Sequence, residues 1–199
     1  MEIPEEILAE CHAHGVDAYP EETCGFITGK CDDPNSLETV WPMRNIMNEL
    51  HEKDPAQYPR TARDGYVIDP LEQLKLERLL KKEGKEIKII YHSHPDVGAY
   101  FSEKDKEDAL WNGKARYPGV KFLVCGTTRG KPDGEVLVEF NQDSDDFEIT
   151  QVNFNYAEIS EGIVGGSYGI TGILPTIDFI HEWKNGSREL QHGYFRFVK

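Results

Sequence analysis

The stretch "DPLEQLKLERLLKKEGKEIKIIYHSH" (69–94) places the tightest constraint on how this chain can fold. Its first part reads as a helix over 69–85. Pro70 suits a first helical position, Leu71, Leu74 and Leu79 recur at helical spacing, and basic residues fill the last turn. Its second part, 86–94, is a strand whose apolar run is nearly continuous, the pattern of a central strand covered on both faces. A helix feeding a doubly covered strand requires a sheet with helices packed on it.

Upstream, residues 3–14 place Ile3, Ile7, Leu8 and Cys11 near helical spacing, with Gly15 as a stop. "TCGFITGK" (23–30) reads as a strand between glycines, and "LETVWPMRNI" (37–46) as an extended segment whose Pro42 points to an edge or a bulge. Residues 47–65 carry two prolines, a glycine and many charges, and read as a long loop of the kind that often serves function. Downstream, 102–112 reads as a second helix, and "VKFLVCG" (120–126), "EVLVEF" (135–140) and "FEITQVNF" (147–154) as three further strands. Helix and strand alternate in the middle and strands follow, which predicts an α/β (α+β layered) domain over 1–154.

Residues 155–199 change character. "SEGIVGGSYGITGILP" (160–175) is glycine-rich, and 176–199 suggests a short element, a turn at Asn185-Gly186 and a final strand. The segment is too apolar and aromatic for a disordered tail. It is expected to dock on the domain or on a second copy of the chain, which leaves a homodimer open.

Charge narrows the partners. The formal net charge of −14 would repel phosphate backbones, so a nucleic-acid partner is not expected. No run of about 18 apolar residues is present, so no membrane span is expected. The acidic N-terminus lacks the pattern of a secretion signal, which makes the cytoplasm the expected compartment. Cys11, Cys24, Cys31 and Cys125 form no CxxC pair, so they read as reduced thiols rather than as a structural zinc site.

The chemistry concentrates in "YHSHPDVGAYFSEKD" (91–105). Residues i and i+2 of a strand share a face, so His92 and His94 present both imidazoles together while Ser93 points away. Pro95 and Gly98 turn the chain, Ser102 begins a helix, and Asp105 lies in its first turn. Two histidines and a carboxylate, with a position left to water, are the ligand set of a catalytic zinc. Ser102 and Asp105 also outline a helix capping box, and both readings stand on the residues alone. A hydrolytic metal site needs a base, and Glu22 in "YPEETCGFITG" lies at the lip of the first strand, although a lone glutamate is ordinarily a solvated charge.

Together "YPEETCGFITG" and "YHSHPDVGAYFSEKD" closely resemble the JAMM metalloprotease family, the catalytic MPN domains, whose pattern is a glutamate ahead of a strand and then H-x-H-x7-S-x2-D. The resemblance runs over roughly residues 1–150, includes the passage from Asn45 to "YVIDP" (66–70), and selects Glu22 over Glu21 by its distance from Cys24-Gly25. It implies a central mixed sheet flanked by helices, in a cytidine-deaminase-like architecture. It implies one zinc ion held by His92, His94 and Asp105, with Glu22 as general acid/base and Ser102 as oxyanion donor, and Ser93 and Asp96 as outer supports.

The resemblance also implies cleavage after the C-terminal Gly-Gly of a ubiquitin-like protein. The compact form is most similar to stand-alone prokaryotic members acting on sulfur carriers of the ThiS, MoaD and CysO type, with ubiquitin-type deconjugation as a variant. The segment 40–46 and the loop 47–65 are the expected contacts for such a tail, with Tyr58, Tyr66, Tyr100 and Phe101 around it or in the core. A non-catalytic MPN scaffold is the alternative of another class; it would purify without stoichiometric zinc. A zinc deaminase would need H-x-E and P-C-x-x-C, which are missing.

Overall fold

The computed structural model describes residues 1–154 and, beyond them, the segments 168–171, 183–184 and 187–188. The rest of the glycine-rich stretch with Gly165-Gly166, the turn at Asn185-Gly186 and the expected final strand lie outside the described residues.

The chain runs α1 (Glu5–Ala18), β1 (Cys24–Lys30), β2 (Thr39–Met43), α2 (Met47–Lys53), α3 (Pro70–Glu83), β3 (Lys85–Pro95) and α4 (Glu103–Ala109). There follow β4 (Leu110–Trp111), β5 (Lys114–Ala115), β6 (Lys121–Thr128), β7 (Lys131–Asn141), β8 (Asp146–Phe154) and β9 (Tyr168–Thr171). Seven strands form one mixed sheet in the order β2-β1-β3-β6-β7-β8-β9, with β3 antiparallel to β1 and parallel to β6. β3 is thus an interior strand, as its apolar run requires, and β2, which carries Pro42, is an edge. Trp183–Lys184 pairs separately with Ser187–Arg188.

Alternation along the strands divides the core. Ile89, Tyr91, Leu123 and Cys125 face α1, where Ile3, Ile7 and Cys11 pack on them. Phe26, Ile90 and Phe122 face the other way, under Leu76 and Leu80 of α3 and Ala109 of α4. His92 and His94 share the parity of Ile90, so both rings emerge on the α3/α4 side. Cys11, Cys24 and Cys125 are buried free thiols and Cys31 is exposed.

Local chemistry sets the ends. Asp69 caps α3 by accepting from the Leu71 amide, Pro70 opens it, and Gly84 closes it at φ 67°. Four expectations change. The helix expected over 102–112 stops at Ala109, because Asn112 and Gly113 both adopt positive φ and fold 110–115 into a tight hairpin. The first half of the expected loop 47–65 is α2, whose start is tied by the Met47 amide donating to Asn45 Oδ1 at 3.0 Å. Gly15 does not stop α1, which continues to Ala18. It lets the helix approach the sheet, since a Cβ there would sit 2.9 Å from Thr127 Oγ1 and 3.2 Å from Ser93 Cβ. Leu71, Leu74 and Leu79 do not form the buried stripe of α3: Leu71 is 67% exposed, and Leu76 and Leu80 take the core positions.

Candidate metal centre

The end of β3 delivers the two imidazoles side by side. His92 is fully buried and His94 nearly so, and their Nε2 atoms lie 3.1 Å apart. The turn after Pro95 is held by Asp96, whose amide donates to the Thr127 carbonyl at 2.8 Å. Its carboxylate accepts from the Arg129 amide and the Tyr19 hydroxyl. The chain then returns through Tyr100 to α4, which brings Asp105 back to the histidines. Asp105 Oδ1 lies 3.4 Å from His92 Nε2, and Oδ2 lies 3.7 Å from His94 Nε2.

These separations test whether a metal fits. Bonds of about 2.0–2.1 Å at tetrahedral angles put neighbouring ligand atoms about 3.3 Å apart. The separations of 3.1, 3.4 and 3.7 Å, the last two to different oxygens of the Asp105 carboxylate, bracket that edge. Among the described residues this is the group of three or more histidine, cysteine, aspartate or glutamate side chains close enough to share an ion. The donor set of two imidazoles and a carboxylate suits zinc.

Electrostatics agrees with the geometry. Glu22 is 8% exposed, and burial pushes its carboxyl from the ordinary 4.5 up to about 7, with His92 opposing and Asp105 adding to the rise. Burial works to raise the Asp105 carboxyl and to lower the His92 ring. Their mutual attraction overrides both, holding Asp105 low and His92 high. His94 falls to about 3, through burial and then through the neighbouring His92. Asp105 thus draws its positive charge from the imidazoles, Glu22 from His92 and more weakly from Arg60, and a cation between His92, His94 and Asp105 would add to it.

Glu22 stands just beyond β1, and its backbone is held at both ends. Its amide donates to the Ala62 carbonyl at 2.6 Å, and its carbonyl accepts from Asn45 Nδ2 at 2.9 Å. Asn45 also donates to the Gly65 carbonyl and accepts from the amides of Met47 and Val67. The next residue, Thr23, is tied to Ser93: Ser93 Oγ accepts from the Thr23 amide at 2.9 Å and from Thr23 Oγ1 at 3.1 Å. Ser93, facing away from the histidines, thus fixes the strand end that carries Glu22.

Ser102 forms the full capping box. Its Oγ accepts from the Asp105 amide at 3.1 Å and donates to Asp105 Oδ2 at 2.6 Å, while its own amide donates to the same oxygen at 2.8 Å. The cap and the ligand reading therefore coexist on Asp105, and the Ser102 proton is committed to that carboxylate.

All five expected site residues lie together, with Glu22, His94, Ser102 and Asp105 lining a cavity of about 520 Å³ against which His92 is buried. Of the four aromatics, Tyr66 and Tyr100 line that cavity. Tyr66 stacks on His92 with ring centroids 4.7 Å apart, and Tyr100 meets His94 edge-on at 4.9 Å. Phe101 packs in the core against Phe122 and Phe147, and Tyr58 is absent from the cavity lining. The anchoring by Ala62 and the four-fold bonding of Asn45 are contacts across the fold. Their trace in the sequence is the matched passage that begins at Asn45 and rejoins the site at "YVIDP" (66–70).

Comparison with known proteins follows the geometry. A family model described as prokaryotic homologs of the JAB domain matches residues 4–136. The chain is 32% identical over 125 residues to a probable TtuB-protein conjugate cleaving protease of Thermus thermophilus, covering 63% of this chain and 69% of that protein. It is 27% identical over 132 residues to the desampylase of Haloferax volcanii, covering 66% and 78%. A solution structure of a Desulfitobacterium hafniense protein superposes with a TM-score of 0.52 at 24% identity, over 73% of this chain and 86% of that one. One from Salinibacter ruber gives 0.52 at 22%, over 84% and 100%; both speak to the fold alone. With the match spanning both the strand that carries Glu22 and the segment that carries His92, His94 and Asp105, the chain belongs to the prokaryotic homologues of the JAB domain, the stand-alone prokaryotic branch of the JAMM (MPN) family.

Proposed function

We propose that the protein is a zinc-dependent peptidase that cuts peptide or isopeptide bonds after the C-terminal Gly-Gly of a ubiquitin-like sulfur-carrier protein. The observation that carries this reading is the convergence of His92, His94 and Asp105 at 3.1 to 3.7 Å beside the buried Glu22. Two relatives whose names describe cleavage of TtuB conjugates and desampylation support the substrate class.

His92 Nε2, His94 Nε2 and the Asp105 carboxylate would hold the metal. When bound, zinc supplies Lewis acidity, polarising a carbonyl and making water acidic enough to lose a proton near neutral pH. Glu22 accepts that proton on its carboxylate and returns it to the departing amine; burial raises its carboxyl, which favours a group that must both take and give a proton. Ser102 fixes Asp105 through the capping box and donates to the developing oxyanion when its hydroxyl turns from Oδ2. Such a donor is worth about 3 kcal/mol. Tyr66 and Tyr100 brace the imidazoles and line the cavity in which the diglycine tail would lie. β2 is the outer strand of the sheet among the described residues, and its outer edge would offer such a tail backbone partners, although Pro42 has no N–H to give.

The test is intact-mass analysis of a carrier extended past its Gly-Gly, incubated with the zinc-loaded protein, with Glu22→Ala and chelated protein as controls. Cleavage after Gly-Gly, abolished in both controls, is expected. An intact carrier in the presence of stoichiometric zinc counts against the reading. Purification without zinc would favour the scaffold alternative.

A further inference from the structure

The peptide unit that leaves Glu22 is gripped on both edges. A peptide is planar, so the Glu22 carbonyl and the Thr23 amide move as one plate. Ser93, which lies between His92 and His94 on β3, accepts from the amide edge at 2.9 Å. Asn45 Nδ2 donates to the carbonyl edge, also at 2.9 Å. The plate on the other side of the Glu22 Cα is held by the Glu22 amide, which donates to the Ala62 carbonyl at 2.6 Å. With both flanking planes fixed, the direction in which the Glu22 side chain leaves the backbone is fixed as well.

The same asparagine sets a second group at the metal centre. Its Nδ2 also donates to the Gly65 carbonyl at 3.2 Å, and its Oδ1 accepts from the Val67 amide at 3.1 Å. Gly65 and Val67 flank Tyr66, whose ring stacks on His92 with centroids 4.7 Å apart. A backbone bridge between Asn45 and Ile68 keeps the two segments side by side, as does the Ile46 amide donating to the Val67 carbonyl at 2.9 Å. The fourth contact, from the Met47 amide at 3.0 Å, ties the asparagine to the start of α2. A carboxamide has two N–H donors and an oxygen with two acceptor positions, and two carbonyls and two amides take all four. That pattern admits one orientation of the group. An ionised aspartate of the same shape has no N–H to give.

We infer that Asn45 is a positioning residue of the proposed peptidase: it holds the base Glu22 and the Tyr66 face of His92 in one register, so that its removal slows proton transfer without emptying the metal site. The inference rests on that reading of the function. Asn45 is not one of the residues that line the cavity, so it acts through the groups it holds. Ser93 references the Glu22 plate to the histidine strand, and Asn45 references its opposite edge to the segment that carries Tyr66.

The experiment follows the zinc-loaded full chain cleaving a carrier extended past its Gly-Gly. Asn45→Ala and Asn45→Asp are each expected to lower kcat by about 10²-fold, the scale of an ångström-level misplacement, with KM within about threefold and zinc still stoichiometric. Asn45→Asp keeps acceptors for the Met47 and Val67 amides, so it carries the test if Asn45→Ala does not fold. Ile7→Ala, on the opposite face of the sheet, is the stability control: its Tm should fall while kcat, measured below both transitions, stays within about twofold. In a Glu22→Gln background the Asn45→Ala penalty should vanish, because residues that act as a unit are not additive. Amide exchange supplies a readout apart from turnover. The Glu22 amide should exchange about tenfold faster in both variants, and the Val67 amide faster in Asn45→Ala alone. That exchange pattern in a protein that cleaves no carrier would overturn the peptidase reading and leave Asn45 as the residue that holds Glu22. Full kcat in both variants, or an undiminished penalty in Glu22→Gln, would overturn the role of Asn45.

Discussion

Replacing Ser93 by alanine should damage the site from behind. Ser93 and Thr23 are 1% and 3% exposed, so neither finds water when the hydroxyl is removed. Ser93→Ala deletes two hydrogen bonds, from the Thr23 amide at 2.9 Å and from its hydroxyl at 3.1 Å. The threonine hydroxyl can rotate in search of another acceptor, but the amide cannot. Two lost bonds at about 1 kcal/mol each, plus a buried unsatisfied amide at about 1–3 kcal/mol, amount to roughly 2–4 kcal/mol after partial relaxation. In a chain of this size that corresponds to a fall of about 10 °C in Tm. Because Thr23 adjoins Glu22, the loss should also appear as a drop in kcat/KM of about 10²-fold with zinc stoichiometry unchanged, the scale of an ångström-level misplacement. Calorimetry, metal analysis and the cleavage assay read the three consequences separately. In Ser93→Ala/Thr23→Val the penalties should be less than additive, as residues in contact require. Full stability and full activity in Ser93→Ala would refute the role given to this pair; lost stability with full activity would confine it to the strand.

Gly15→Ala should destabilise by about 1–3 kcal/mol in urea unfolding, against the gain expected for an exposed helical position, because the new methyl meets Thr127 and Ser93 at 2.9 and 3.2 Å. In chelated protein, the raised Glu22 carboxyl means that the folded state binds more protons than the unfolded state between pH 4.5 and about 7. Glu22 alone should therefore contribute a fall of roughly 3 kcal/mol as pH rises through that window, against an opposing rise from the lowered His94, and the difference between the wild-type and Glu22→Gln profiles should isolate it. Asp105→Asn keeps an oxygen to cap α4 but loses the charged ligand, so circular dichroism should be preserved while bound zinc drops below stoichiometry.

The histidine pair was legible because its geometry is local: two residues apart on a strand fixes a shared face whatever surrounds it. Asp105 was legible only as an ambiguity, since capping and ligation place the carboxylate in the same spot, and in the structure it closes the capping box while lying beside both imidazoles. Gly15 was misread because a glycine that ends a helix and a glycine that lets a helix touch a sheet look alike in sequence. In α3, five leucines offer more than one stripe, and the sheet beneath selects Leu76 and Leu80. Asn45 was marked only as the start of the passage leading to "YVIDP", and Ala62 carries no local pattern; their roles arise where the long connection after β2 is laid across the strand ends.

Asp105 closes the cap of α4 whether or not an ion is present. Its carboxylate is already oriented by the Ser102 amide and hydroxyl, and the rings of His92 and His94 are braced by Tyr66 and Tyr100. Little ordering remains to be done when a cation arrives, so loading should resemble a key entering a cut lock rather than a fold closing around its nucleus. Stripping and restoring the metal should then be reversible at ambient temperature, on the timescale of ligand exchange, without passage through an unfolded intermediate. The same economy sets a limit: a scaffold so firmly shaped by its own hydrogen bonds has little freedom to readjust for ions that prefer six or more oxygen neighbours, so calcium and magnesium should be poor substitutes.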